Sequence, residues 1–174
     1  MKTCIKNYKK CILAVLLAGG AGLFLAASND PQAAIKIEGA WVGNVAENGV
    51  RVLVTFAPNA SGKSATYRAE MVWPPEVLAV WAQLVPGFRG ITDAIGEQVM
   101  TGRNTATYAG RWYVLVDGRP ALVFVDNASL TYTSPTRVEF VSEITGYYAD
   151  AEGDPVEVAL PTGMYHSVSR RITQ

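Results

Sequence analysis

The stretch IKIEGAWVGNVAENGVRVLVTF, residues 35–56, alternates on both sides of a single turn. Its odd positions Ile35, Ile37, Gly39, Trp41, Gly43 and Val45 are apolar or small, with Lys36, Glu38 and Asn44 between them. A period of two is the mark of a strand with one buried face. Glu47-Asn48-Gly49 then supplies Asn-Gly, the pair best suited to positive φ in a tight hairpin, and Val50, Val52, Val54 and Phe56 alternate on the way back. The stretch is therefore expected to be a β-hairpin.

The same reading extends along the chain. After the turn residues Pro58 to Gly62, a third run sets Ala65, Tyr67, Ala69, Met71 and Trp73 on one face and Thr66, Arg68 and Glu70 on the other. Pro74-Pro75 ends that run, and Val77, Leu78, Trp81, Leu84 and Val85 follow at helical spacing until Pro86-Gly87 stops them. Strand patterns resume over residues 97–100, 105–116, 121–133 and 137–148, with Asp117-Gly118 and Ser134-Pro135 as punctuation, and end in a pair over 156–160 and 165–172. Short turns join nearly all of these runs, which implies antiparallel neighbours. The expected fold is mostly β: an antiparallel up-and-down β-barrel of about eight strands with one short inserted helix, since closure removes exposed edges. A two-sheet β-sandwich is the alternative.

The helix has two readings. It can plug one end of the sheet with Leu78 and Trp81, or it can cover a ligand as a lid.

The 49% of hydrophobic and 17% of charged residues describe a chain that folds, far from the composition of disorder. Lys2, Lys6, Lys9 and Lys10 are four of the 15 basic residues, and residues 1–28 hold no acid, so the remainder has 11 basic against 15 acidic residues. A mildly acidic domain without clustered positive charge offers nothing to a phosphate backbone, and nucleic acid is not an expected partner.

MKTCIKNYKK is a positive segment, and CILAVLLAGGAGLFLAAS follows it as an apolar run that ends in small residues. That arrangement is a secretory signal. Residues 1–28 are read as the signal peptide and 29–174 as a single β-barrel domain, exported to a periplasmic or extracellular location. Contact with the membrane is then confined to the signal segment. An uncleaved anchor is the rival reading, but Gly19, Gly20 and Gly22 weaken a helix that would have to persist. Both cysteines, Cys4 and Cys11, fall in the leader, so the exported domain has no thiol for a disulfide, a zinc site or a nucleophile.

Motifs of chemistry are sparse. Gly62-Lys63-Ser64 has the ending of a phosphate loop, but Ala57 stands where that loop needs its first glycine, and a strand follows instead of a helix. A turn explains it. Asp150, Glu152 and Asp154 alternate around Gly153 as calcium loops do, so calcium is a candidate ligand of these three. The loop is short and lacks a distal bidentate acid, and a solvated acidic turn is the preferred reading; no other cofactor is expected. His166 is the one histidine, and there is no Gly-x-Ser-x-Gly. The chain is not expected to be an enzyme.

Gly39-Ala40-Trp41 resembles the Gly-x-Trp that opens lipocalins and related small barrels such as the avidins. The resemblance implies a calycin-type barrel in which the tryptophan packs across the closed end against a basic residue of the last strand, here Arg170 or Arg171. It implies a fold and leaves the ligand open.

The inward face then mixes bulky residues, Phe56, Tyr67, Met71, Trp112, Phe140 and Tyr148, with small ones, Gly39, Ala65, Ala69, Gly110 and Gly146. Small residues on an inner face leave room for a guest, so these six bulky residues are the expected binding residues for a small apolar or amphipathic ligand. The alternative is a structural or interaction protein of the cell envelope with a solid core, which would work through exposed aromatics such as Trp73, Tyr113 and Tyr147.

Cleavage of the leader is expected near Ala27 or Ser28. Mass spectrometry of the exported protein should find no Met1 terminus; an intact Met1 in a membrane fraction would contradict the reading.

Overall fold

The computed structural model describes residues 38–60 and 63–173. The expected leader, Ile35 and Ile37 of the first run, and Gly62 lie outside the described residues.

The elements in order are β1 (Gly39–Val45), β2 (Arg51–Pro58), β3 (Ser64–Val72), α1 (Pro75–Leu84), β4 (Phe88–Ile91), β5 (Ala94–Met100), β6 (Thr105–Val116), β7 (Arg119–Ser134), β8 (Arg137–Ala149) and β9 (Pro155–Arg171). Every pairing is antiparallel, and the order β1-β2-β3-β5-β6-β7-β8-β9 returns to β1, with Trp41 opposite Arg171 and Val45 opposite Ser167 at the seam. The result is a closed barrel of eight strands. This closure rules out the sandwich. β4 stands outside the ring and pairs only with the end of β6.

Alternation carries the barrel. Along β2, exposed and buried residues alternate from Arg51 to Phe56, and Val52, Val54 and Phe56 point inward. The same phase puts Ala106, Tyr108, Trp112 and Val114 inside on β6 and Phe124, Ala128, Leu130 and Tyr132 inside on β7.

One end is solid. Trp41 is fully buried and meets Phe56 and Tyr132 edge-on, at centroid distances of 6.4 and 5.8 Å. The Arg171 guanidinium lies 5.5 Å from the indole centroid and donates to the Glu38 carbonyl, so it both stacks on the ring and ties β9 to the entry of β1. Arg171 is thus the basic partner that the Gly-x-Trp resemblance implied. Gln98, also buried, donates from Nε2 to the Tyr132 hydroxyl at 2.7 Å.

Curvature comes from two glycines that face each other on β5 and β6. Gly96 pairs with Gly110, and the Tyr108 ring covers both. A Cβ on Gly110 would overlap the Tyr108 hydroxyl, and one on Gly96 would overlap the Ala109 carbonyl. Here the missing side chains let the strands come close and the ring lie flat.

Several details differ from the expectation. The turn after β1 keeps only Gly49 at positive φ, 69°; Asn48 instead accepts the Val50 N–H on its side chain at 3.1 Å, so the loop is wider than a two-residue hairpin. The tight primed turn occurs at Asp117-Gly118, with φ of 50° and 80°. β5 starts at Ala94, earlier than its expected start at residue 97, and β4 was not foreseen: at four residues it is too short for a period to register. The two last runs are one strand, β9, because register shifts in its pairing with β8 carry the chain past Pro161 without a turn.

Trp41→Ala should lower the unfolding free energy by about 3 to 5 kcal/mol, the range for emptying a packed aromatic site. Urea denaturation followed by circular dichroism measures it.

Candidate functional site

Away from Trp41 the interior opens. The turns after β1 and β6 and the helix α1 all lie at the other end, where side chains thin out and leave a cavity of about 350 Å³. Its floor is Val54, Tyr67 and Phe140, its walls include Ala69, Met71 and Ile144, and its mouth is edged by Trp73, Trp112 and Trp81.

Aromatic contacts fix these walls. Trp112 and Phe124 stack with centroids 3.9 Å apart and planes within 3°, Trp73 leans on Trp112 at 5.6 Å, and Trp81 meets Phe124 edge-on at 6.0 Å. Deeper, the Tyr67 and Tyr108 rings lie 4.1 Å apart. α1 contributes Glu76, Val77, Val80, Trp81 and Leu84 to the rim. The helix begins at Pro75, where a missing N–H costs nothing, and ends at Val85, whose N–H returns to the Trp81 carbonyl. None of its residues is fully buried. It therefore roofs the cavity and does not fill it.

A carboxyl group sits in this apolar setting. Asp126 of β7 follows the inward phase of Phe124 and Ala128 and lines the cavity, and its Oδ1 is buried with no hydrogen-bond partner. Burial raises its pKa to about 7, with the Ser142 hydroxyl pulling weakly the other way. Tyr67 and Tyr108 are pushed far above the ordinary phenol value, first by burial, and the Asp126 charge adds to the rise in both. The Tyr108 hydroxyl and Ser169 Oγ are likewise buried without a partner. Each such group costs about 1 to 3 kcal/mol until something meets it.

The six expected binding residues divide. Tyr67, Met71, Trp112 and Phe140 line the cavity. Phe56 is buried below it, against Trp41 and Tyr67. Tyr148 keeps its register opposite Leu122 of β7 but stands at the rim end of β8, 37% exposed and outside the lining. Trp73, a surface aromatic only under the envelope-protein alternative, packs inward against Trp112. Tyr113 and Tyr147 are half-buried.

The acidic loop is a turn held by its own side chains. Asp150 Oδ1 accepts from the Glu152 and Asp154 N–H groups at 3.1 and 2.7 Å, and Asp154 pairs with Arg111 at 2.9 Å. Asp150, Glu152 and Asp154 thus do not converge as a calcium site, and no group of three potential ligand residues forms among the described residues. His166 is exposed, with Nδ1 3.0 Å from Glu47.

Asp126, Tyr108 and Ser142 went unnoticed in the sequence. The signal was available: Leu122, Phe124, Asp126, Ala128, Leu130 and Tyr132 occupy one phase of β7, and a carboxylate there is out of place on a buried face.

No protein-family model matches the chain, and no curated protein does. Among solved structures, EF1p2_mFAP2b bound to DFHBI is similar with a TM-score of 0.52 and 13% identity, over 78% of this chain and 94% of that one. A redesigned β-barrel follows at 0.49 and 14%, over 84% and 100%, and the redesigned barrel mFAP1 bound to DFHBI at 0.44 and 15%, over 80% and 99%. At these identities the likeness is one of fold.

Asp126 gives the fold a pH dependence of known sign. Its folded pKa lies above its unfolded one, so it favours folding most below about pH 4 and loses that contribution as pH rises to about 7, with no further change above. Differential scanning calorimetry from pH 4 to 9 should show Asp126→Asn gaining on the wild type across that window. Parallel curves would contradict the assignment.

Proposed function

We propose that this protein is an exported carrier or receptor domain that holds one small apolar or amphipathic molecule inside its barrel and performs no chemistry on it. The observation behind this reading is the cavity of about 350 Å³, enclosed by Tyr67, Met71, Trp112 and Phe140 and roofed by α1. A space of that size, mostly apolar with a few convergent polar groups, is the usual form of a small-molecule site. EF1p2_mFAP2b, a barrel of like fold, was solved with DFHBI bound, which supports the capacity of such a barrel to take a guest.

The basic and apolar leader supports export. The lone histidine is exposed beside Glu47 and is not part of the cavity lining, which favours binding over catalysis. The calycin-like reading rests on Gly39-Ala40-Trp41 together with the Arg171 stack. The envelope-interaction reading draws less support, because Trp73, its main surface candidate, faces inward.

Affinity would come chiefly from apolar burial, at about 25 cal/mol per Å². Ala69 is buried in the cavity wall, so Ala69→Phe would place a ring where the guest sits. Protein taken from its native compartment should carry one small molecule by native mass spectrometry. Purified wild type should take up the neutral probe N-phenyl-1-naphthylamine, and Ala69→Phe should weaken that uptake by about tenfold or more while melting within a few degrees of wild type. No bound molecule, no probe uptake and a strongly destabilised Ala69→Phe would together mean a solid core.

A further inference from the structure

The polar groups of the cavity share a character that its apolar walls conceal. Among the described residues, the charged side chains lining it are Asp126, Glu47 and Glu76, and no lysine, arginine or histidine lines it. Glu47 is engaged by the His166 backbone N–H and ring, and Glu76 stands at the exposed start of α1, so Asp126 is the charge that a guest would meet inside. Among the described residues its Oδ1 is a buried acceptor without a donor, and the Tyr108 and Ser169 hydroxyls, each able to donate and to accept, are buried without a partner, as is the Trp73 indole N–H. The aromatic rings of Tyr67 and Tyr108 flank this region.

We propose that the cavity is built for an amphipathic molecule with a basic nitrogen, whose protonated amine takes the Asp126 carboxylate as its counter-ion. This rests on the ligand-binding reading and gives it a substrate class. A carboxylate buried among hydrocarbon is costly alone and much less so beside a cation that it hydrogen-bonds. An alkylammonium brings several N–H donors and no acceptor, which suits the unmet Asp126 Oδ1 and the oxygens of the two hydroxyls; a carboxylate guest would add a second like charge. Ring faces attract the same cation, and the acids at the rim set the potential at the mouth to the same sign. A neutral O–H or N–H donor is the competing guest, since it also hydrogen-bonds Asp126 but lacks the attraction between two full charges.

The test compares three molecules with one ring system, 2-(1-naphthyl)ethylamine, 2-(1-naphthyl)ethanol and 1-naphthylacetate, by isothermal titration at pH 8. The amine should bind the wild type at least about tenfold more tightly than the alcohol, the difference expected for a hydrogen bond to a charged group, and the acetate should bind most weakly. In Asp126→Asn, which keeps the shape, the amine should fall to within about threefold of the alcohol, a larger loss than the alcohol itself shows.

Equal affinity of amine and alcohol in the wild type would overturn the inference whatever the variant does, and so would an amine preference that survives Asp126→Asn. The first result would leave the barrel a binder of neutral guests, and the second would give the amine a partner other than Asp126. Failure of all three to bind would overturn the ligand-binding reading as well.

Discussion

The seam between β1 and β9 is the constraint on which the rest depends. A meander of strands is an open sheet until its first and last members pair, and here they pair from Trp41–Arg171 to Val45–Ser167. Hydrogen bonds alone would allow that seam to slip, but a shift of one residue would turn Trp41 out to solvent. The buried indole forbids the slip. Arg171 reinforces it from the opposite strand, stacked on the ring and bonded to the Glu38 carbonyl. Closure in this register puts Phe56, Tyr132 and Trp41 together, and a solid end follows.

A solid end at Trp41 makes an open one affordable at α1. Packing at the floor is dense and aromatic, so the upper interior can be left with Ala69 and Ala94 in its wall, residues too small to fill it. Asp126 belongs to that upper region. A leucine at this position would remove an unmet acceptor and fill space, and nothing in the fold itself calls for a carboxylate. The group makes physical sense as part of a site, at a cost in stability that the floor can bear.

Most of the barrel was legible in residues 39–56 and in the later alternating runs, because a half-buried strand writes its burial into its period. What escaped lay where period fails or does not decide. Four residues of β4 are too few, Pro161-Thr162-Gly163 reads as a turn although β9 continues through it, and Tyr148 keeps its phase but stands too near the rim to line the cavity. The cavity was legible only as a mixture of large and small inner residues. Its location was not, because that depends on which small residues the ring brings to one level. Tyr67, Met71, Trp112 and Phe140 were found by phase; Asp126 obeys the same phase and was missed because the search was for apolar residues.

The roof differs in kind from the walls. Each barrel strand is held on both sides by ladders of backbone hydrogen bonds, whereas α1 has no fully buried residue, no side-chain cap at Pro74 and no basic residue in its last turn. Among the described residues Trp81 against Phe124 is its one aromatic contact with the barrel, and Val80 remains exposed. A ten-residue helix is marginal alone, so its stability comes from what it touches, and here it touches the cavity. Local opening costs least where the fewest apolar contacts must be broken, which places the weak point of the enclosure at α1. A guest that packed under Val77, Trp81 and Leu84 would supply the contacts that the helix lacks. Occupation of the cavity and the order of its roof are thus coupled by the same apolar surface.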